Sequence, residues 1–234
     1  MQRIRIAIVV SVAAALVLLC WFYLSRPRRD AKAVAVAETQ VYEAVVRDMF
    51  RTAHGQSQVK QLVFDKAVVA GLDVVSRPVP ASCKENVLSS PRLHRDNPPF
   101  NSLADKTYRL IIRGGDDYSL RADTIQNFAE RACTGGSVSQ AFRTDLPRTF
   151  IADDSVYFEG WPTRNKNAES FERLFPGAPG IISFSHVGFD ASLDQAIVST
   201  SFVCGGLCGT GKIYILKKRW GRWRVVNQWI VWVS

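Results

Sequence analysis

Four cysteines outside the N-terminal apolar run are the residues best suited to chemistry in this 234-residue chain. Cys20 lies within that run, which leaves an even set: Cys83, Cys133, Cys204 and Cys208. An even number of cysteines outside the cytosol is typical of disulfides. A Cys204–Cys208 bridge would close a short glycine-rich loop, and a Cys83–Cys133 bridge would tie a proline-rich segment to a helix. Four cysteines allow three pairings, and the sequence does not choose among them.

Redox or metal chemistry is the alternative role for Cys204 and Cys208. Redox pairs favour two intervening residues at the start of a helix, where the thiol pKa is lowered. Here three residues separate the cysteines, in a predicted strand–strand loop. Zinc would need further ligands, and the histidines are scattered at His54, His94 and His186. We therefore favour structural disulfides, and we predict neither a metal site nor a cofactor.

Basic and aromatic residues are concentrated near the C-terminus. No acidic residue occurs in positions 195–234. Cations interleaved with aromatic rings can bind nucleic acid, anionic lipid or anionic glycan. The competing interpretation is a core sheet with a solvated hairpin tip. The predicted contact surface consists of the basic and aromatic residues of one short segment: Lys217, Lys218, Arg219, Trp220 and Arg222.

Motifs for catalysis are incomplete. Residues 206–212 fit the start of a phosphate-binding P-loop, but Ile213 stands where Mg²⁺ needs Ser or Thr, and a strand follows instead of a helix. Ser185 and His186 are adjacent on a predicted strand, so their side chains face opposite ways. The polar clusters at 114–118 and 153–159 are interpreted as a turn and a solvated loop. We lean towards a protein that is not an enzyme.

An apolar segment near the N-terminus predicts where the chain is anchored. Residues 6–25 are uncharged, and at 1.5 Å per residue they would form about 30 Å of helix, which matches the hydrocarbon core. A cleaved signal peptide is the alternative, but the run is longer than its usual apolar region. We predict that residues 1–29 are a transmembrane anchor with a basic flank, so the lipid bilayer is one partner.

The location of the body follows from charge and cysteine content. Five of the 30 basic residues flank the apolar run and no acidic residue does, so the net charge of +9 falls to +4 for residues 30–234. That modest excess is weak evidence for nucleic acid, which we do not expect as a partner. Two arginines in the short N-terminal tail oppose its export. We expect an extracytoplasmic body, periplasmic or on the cell surface.

The body has globular composition, with 47% apolar and 22% charged residues, which excludes a disordered chain. Apolar periodicity predicts a helix over 30–53 and another over 124–132, capped by Asp123 with Gln126 at the capping-box position. A short helix is predicted near Asn167. Strands are predicted at 62–69 and 107–113. The proline-rich segment 75–101 is predicted to be a long loop or lid.

The last quarter predicts a four-strand meander over residues 181–189, 195–203, 212–219 and 223–233. Gly221 favours a tight turn, because glycine accepts positive φ. Trp223 and Trp229 are predicted on one face of the final strand and Trp232 on the other, so either both faces are covered or the sheet is strongly curved. The predicted fold class is α+β: an antiparallel sheet packed with helices in one domain over residues 30–234.

Several of these motifs together resemble a family of uncharacterised bacterial proteins that are exported or membrane-anchored. The resemblance is carried by short glycine-, cysteine- and tryptophan-containing motifs: Phe175–Gly177, Gly180–Ile182, Val187–Phe189, Cys204–Gly211, Gly221–Trp223 and Trp232–Ser234. It covers about residues 38–234, and it is strong only from residue 170 onward. It implies location and architecture and supplies no catalytic residue.

The predicted function is a single-pass, membrane-anchored extracytoplasmic domain that binds or scaffolds at the cell envelope. An anionic envelope polymer or lipid is the expected ligand class, and the protein partner is not specified by the sequence. The alternative is an envelope hydrolase or thiol-redox enzyme, with its site near residues 75–101 or at Cys204 and Cys208.

Overall fold

A computed structural model describes residues 30–51, 59–67, 83–88, 120–152, 155–158, 168–205 and 208–234. The predicted anchor at 6–25, the predicted strand at 107–113 and most of the segment 75–101 lie outside the described residues. Within the described residues, no helix combines the length and apolar character needed to cross a bilayer.

The first described helix, α1 (Ala31–Arg51), confirms the helix predicted over 30–53. Its predicted apolar stripe is buried, including Val34, Ala37, Val41 and Val45. These positions recur at steps of three and four residues, so one face of the helix can pack on a sheet while the other stays polar.

The other helices are α2 (Cys83–Leu88), α3 (Ala122–Ala132) and α4 (Phe171–Leu174). The α2 helix corrects the prediction that residues 75–101 contain no regular element. The α3 helix confirms the helix predicted over 124–132, but its N-cap is Arg121, without a side-chain cap. Asp123 instead accepts a hydrogen bond from the backbone N–H of Ala191, and Gln126 donates to Glu130. The prediction of a capping box was therefore wrong.

The described strands form a seven-stranded sheet and a separate two-stranded one. The small sheet pairs β3 (Val156–Tyr157) with β4 (Glu169–Ser170) in parallel. The bounds of the large sheet's strands are β1 (Leu62–Asp65), β2 (Arg148–Ile151), β5 (Ile181–Phe184), β6 (Gly188–Phe189), β7 (Gln195–Gly205), β8 (Cys208–Arg219) and β9 (Arg222–Val233).

The order of the large sheet is β2-β1-β5-β7-β8-β9, with β6 also paired to β7. The β5, β7, β8 and β9 strands pair antiparallel, which confirms the predicted meander. The β1 strand pairs in parallel with both β2 and β5, so the sheet is mixed and only mostly antiparallel. The sequence pattern did not predict β2, because it is short and half-exposed.

Both faces of the sheet are covered, as the apolar final strand predicted. The α1 helix packs on one face, where Tyr42 and Phe184 have ring centroids 4.6 Å apart. The α3 helix packs on the other, where Phe128 joins Ile197 and Ile213. Helices on both faces of the sheet explain why the central strands carry apolar residues at consecutive positions.

The predicted distribution of tryptophans on β9 was wrong. Register shifts interrupt the β8–β9 pairing at two places, between Gly211 and Lys212 and between Ile215 and Leu216. An extra residue in one strand reverses the face of every residue beyond it. Trp223 therefore packs towards α1, whereas Trp229 and Trp232 pack together on the α3 side.

Two glycines of the resemblance motifs are required by close packing. A Cβ at Gly188 would lie 2.3 Å from Cα of Phe128, so α3 rests directly on β6. A Cβ at Gly211 would collide with the indole nitrogen of Trp232, which covers the start of β8. In the described part of the segment that resembles a P-loop, Gly209 and Gly211 are thus explained by the Trp232 ring that packs across them.

Candidate functional site

The predicted contact surface lies at the tip of the hairpin formed by β8 and β9. Trp220 and Gly221 form the turn, with φ of 49° and 75°. The Trp220 side chain is 89% exposed, which is unusual for so large an apolar group. Arg219 and Arg222 are cross-strand partners at its base, and both are exposed.

Strand alternation divides this surface. Lys218 pairs with Trp223 on the α1 side, and its Nζ lies 5.7 Å from the centre of that indole ring. Lys217, one residue earlier, is on the opposite face of the strand and pairs with Arg224. Alternation thus places Lys218 on the α1 side and Lys217 on the other, while Arg219, Trp220 and Arg222 lie at the tip itself.

A cleft of about 450 Å³ opens beside this tip, between α1 and the first four residues of β9. Ala44, Arg47 and Asp48 of α1 line it on one side. The residues of β9 that line the other side are Arg222, Trp223, Arg224 and Val225. Arg222 therefore belongs both to the predicted surface and to the cleft.

Sequence reasoning missed Arg47 and did not include Arg224 in the contact surface. Arg224 lies just beyond the turn, and its guanidinium carbon is 5.9 Å from the centre of the Trp220 ring. Arg47 is distant along the chain, although it lies on α1 directly after the buried stripe residues Val45 and Val46. Only the packing of α1 on the sheet reveals that these arginines share a cleft.

Several cations of this region lie apart from the carboxylates that the structure describes. Among the described residues, no carboxylate lies within ion-pair distance of the hairpin or cleft cations Arg47, Lys218, Arg219, Arg222 and Arg224. Trp223 adds a buried indole N–H that has no hydrogen-bond partner. Uncompensated guanidinium groups beside an open cleft are suited to binding an anion.

Comparison of the chain with protein-family models, with curated proteins and with solved structures gives no match. The resemblance inferred from the glycine and cysteine motifs stays a prediction. The chemistry of the site must be inferred from the residues themselves.

Two titratable groups lie behind the cleft on β8. Burial lowers the pKa of the Lys212 ammonium, and the negative charge of Asp48 opposes that change. Burial also raises the pKa of Tyr214, with Asp48 acting in the same direction. The Tyr214 hydroxyl is buried without a hydrogen-bond partner, and Lys212 donates to Gln228 at 3.4 Å. Asp48, which lines the α1 side of the cleft, thus places a negative charge near both of these β8 side chains.

A second polar cluster centres on Glu38, in the first half of α1, and sequence reasoning missed it. Four groups approach the same carboxylate oxygen, Oε1: the Val187 N–H at 2.8 Å, Arg131 Nη2 at 3.0 Å, and Tyr42 Oη and His186 Nδ1 at 3.2 Å each. The Glu38 residue is only 7% exposed. The signal that could have found it is position, because Glu38 lies four residues after Val34 and three before Val41, on the apolar stripe of the helix.

The electrostatics of this cluster are those of a stabilising ion-pair network. Burial by itself would raise the pKa of Glu38, but the hydrogen bonds from His186 and Val187 and the charge of Arg131 bring it below its usual value. Burial raises the pKa of Tyr42 well above normal, and the neighbouring Glu38 adds to the effect. The carboxylate is therefore ionised and the phenol neutral at physiological pH.

Ser185 and His186 do not act together. Ser185 Oγ donates to the backbone oxygen of His186 and accepts from the Ser199 N–H, whereas His186 Nδ1 faces Glu38. The two residues do not pair, as expected, but the predicted reason was wrong, because they lie between β5 and β6 and not on a strand. Within the described residues, no group of three His, Cys, Asp or Glu side chains could hold a metal ion.

The structure pairs Cys83 with Cys133 and Cys204 with Cys208, which confirms the prediction of disulfides. The first bridge joins α2 to the C-terminal end of α3, and Cys83 is buried there. The second closes a short loop between β7 and β8, where Cys208 is exposed. The two bridges thus have different environments, one within a core and one at the surface. The polar clusters at 114–118 and 153–154 lie outside the described residues.

Proposed function

We propose that this chain is a single-pass, membrane-anchored protein whose extracytoplasmic domain binds an anionic polymer of the cell envelope. The observation that supports this best is a group of cations around the cleft and the exposed Trp220, none of them within ion-pair distance of a described carboxylate: Arg47, Lys218, Arg219, Arg222 and Arg224. Exposed cations held close together repel one another and create a positive surface potential, which an anionic ligand would compensate.

The location is supported by the cysteines and the apolar run. Two disulfides are typical of proteins outside the reducing cytosol. The uncharged segment 6–25 has the length and composition of a bilayer-spanning helix. Fusion of a fluorescent protein that is inactive in the periplasm to the C-terminus tests this. We expect a dark fusion, and a bright one would contradict the proposed location.

The binding proposal is tested with the full chain in nanodiscs of neutral lipid. We expect labelled anionic polymer, either polyphosphate or a polyuronate, to bind with an affinity that falls steeply as salt increases. Alanine at Lys217, Lys218, Arg219, Trp220 and Arg222 should abolish most of this binding.

A matched control removes the same number of cations elsewhere. Alanine at the exposed residues Lys60, Lys66, Arg143 and Arg148 changes the net charge equally without touching the hairpin. Equal loss of polymer binding in both variants would mean that net charge alone attracts the polymer, which contradicts a defined surface. Binding to anionic vesicles but not to either polymer would assign the surface to lipid instead.

Thiol-redox chemistry at Cys204 and Cys208 is the second candidate function. It is favoured by the exposure of Cys208 and by the short loop, whose closure contributes little stability to the oxidised form. A thiol count under mild reductant tests it. Rapid reduction of one disulfide with the fold retained would support redox activity, and resistance of both would argue against it. A hydrolase site near residues 75–101 would fall mostly outside the described residues.

A further inference from the structure

The cleft between α1 and β9 has the size of a small-ligand site. Its volume of about 450 Å³ lies within the range that binding pockets for small molecules occupy. Arg47 lines it from the helix, and Arg222 and Arg224 line it from β9, which is an edge strand of the described sheet, so each side of the cleft carries an arginine. A ligand between them would receive donors from both.

The charge of the cleft indicates the charge of its ligand. Among the described lining residues, three are arginines and one, Asp48, is a carboxylate, which gives these residues a net of two positive charges. A monoanion such as a carboxylate would compensate half of this excess. A dianion would compensate all of it, and a phosphate monoester carries close to two negative charges at neutral pH.

The donors in the cleft fit the same group. A guanidinium presents a planar fork of N–H groups that matches phosphate geometry, and several forks can share three phosphate oxygens. None of the three arginines makes a side-chain hydrogen bond to a described residue, so their N–H groups are available. Trp223, which also lines the cleft, has a buried indole N–H without a partner. A ligand rich in acceptor oxygens complements a site with these donors.

We infer that the cleft binds a phosphate monoester group carried by the anionic polymer, with Arg47 on one side and Arg222 and Arg224 on the other. This inference rests on the proposed function and specifies the group that is recognised. Trp220, exposed beside Arg224, then contacts the part of the polymer that bears the phosphate.

The direct test measures binding of a hexose 6-phosphate to the full chain in neutral nanodiscs by calorimetry. Alanine at Arg47, Arg222 and Arg224 together should weaken binding by about tenfold or more, because each charge-assisted hydrogen bond contributes substantially. The control variant, with alanine at Lys60, Lys66 and Arg143, should bind as the wild type does. Lysine at the same three cleft positions keeps the charge and should restore only part of the affinity.

The pH dependence distinguishes a dianion from a general anion. The sugar phosphate loses its second proton near pH 6, so its affinity should rise several-fold from about pH 5.5 to about pH 7.5. Sulfate has no such proton and should bind equally at both values. The charged or titratable groups facing the bound phosphate are Arg47, Asp48, Arg222 and Arg224 in the lining, Lys218 beside it, and Lys212 and Tyr214 behind it.

The outcomes separate this inference from the proposed function. The inference would be overturned if sugar phosphate failed to displace the bound polymer. It would also be overturned if polyuronate and phosphorylated polymer bound equally well. Either result would leave the proposed function standing. Absence of any polymer binding would overturn both. In another outcome, the protein binds sugar phosphate and phosphatidic acid vesicles but not phosphorylated polymer. That result would identify a lipid headgroup as the source of the phosphate and overturn the polymer assignment. Retained melting behaviour shows that the variants are folded.

Discussion

The two halves of α1 use charge in opposite ways. In the first half, Glu38 is buried, and hydrogen bonds from the sheet side, α3 and its own helix converge on one of its oxygens. In the second half, Arg47 lines an open cleft and has no ion-pair partner among the described residues. Paired and buried charges hold the helix on the sheet, whereas a cation without an ion-pair partner among the described residues lines the cleft that we propose as a ligand site.

The strongest test of this contrast replaces Glu38 with alanine. The substitution removes the carboxylate that accepts from Arg131 and from the Val187 N–H, whereas the Tyr42 hydroxyl can still donate to the Ser185 carbonyl. Because a partly buried guanidinium then loses its counter-charge, we expect a loss of about 3–5 kcal/mol in the free energy of unfolding. Arg47→Ala, on the same helix, should change it by less than about 0.5 kcal/mol. Urea titration of both variants measures the difference. Similar losses would contradict the division of α1 into a structural and a ligand-binding half.

A second test concerns the crowded end of β8, opposite the open tip. Gly211→Ala places a methyl group against the Trp232 indole, and we expect a loss of about 1–3 kcal/mol from overpacking. Gly135→Ala is the control, because no atom lies within 4 Å of the added Cβ. Thermal unfolding compares them. Equal melting temperatures would show that the Trp232 packing contributes nothing to stability.

The third test uses pH. Because the folded state holds the pKa of Glu38 below its usual value, the ionised carboxylate stabilises the fold above the unfolded pKa. This contribution should be lost as pH falls through the folded pKa. Stability of the wild type should therefore decline in acid more steeply than that of Glu38→Gln. Parallel pH profiles of the two proteins would indicate that Glu38 does not contribute.

The smallest expected effect on stability is at the tip. Trp220→Ala removes a side chain that is almost fully exposed, so the free energy of unfolding should change by less than about 0.5 kcal/mol. Binding of labelled anionic polymer should nevertheless weaken, because the aromatic surface beside Arg224 is lost. If polymer binding were unchanged, Trp220 would not belong to the proposed contact surface, and the cleft would remain as the centre of that surface.

The predictable parts of the fold were those with long local patterns. The stripe of α1, the strands of the meander and the turn at Gly221 follow from periodicity and glycine placement. Local patterns gave no signal for the parallel pairing of β1 with β2 and β5, because that pairing joins distant segments. The register shifts in β9 were also invisible, so the predicted faces of Trp223 and Trp229 were wrong.

The site was predictable only in part for the same reason. A run of cations and tryptophan near Gly221 is visible in the sequence, and it indicated the hairpin tip. Arg47 belongs to the cleft only because the apolar stripe of α1 packs on the sheet beside β9. The burial of Glu38 depends on contacts with residues about a hundred positions or more away, as with Arg131 and His186. Such contacts come from tertiary packing, which local composition does not encode.

The continuity of α1 has a mechanical consequence. One uninterrupted helix runs from Ala31, next to the predicted membrane flank, past Glu38 to the cleft at Arg47. A tethered domain that grips a large polymer would experience tension between these points. The Glu38 contacts lie along this helix between the proposed anchor and the proposed binding cleft. Under such tension they would hold the helix on the sheet before the cleft is deformed.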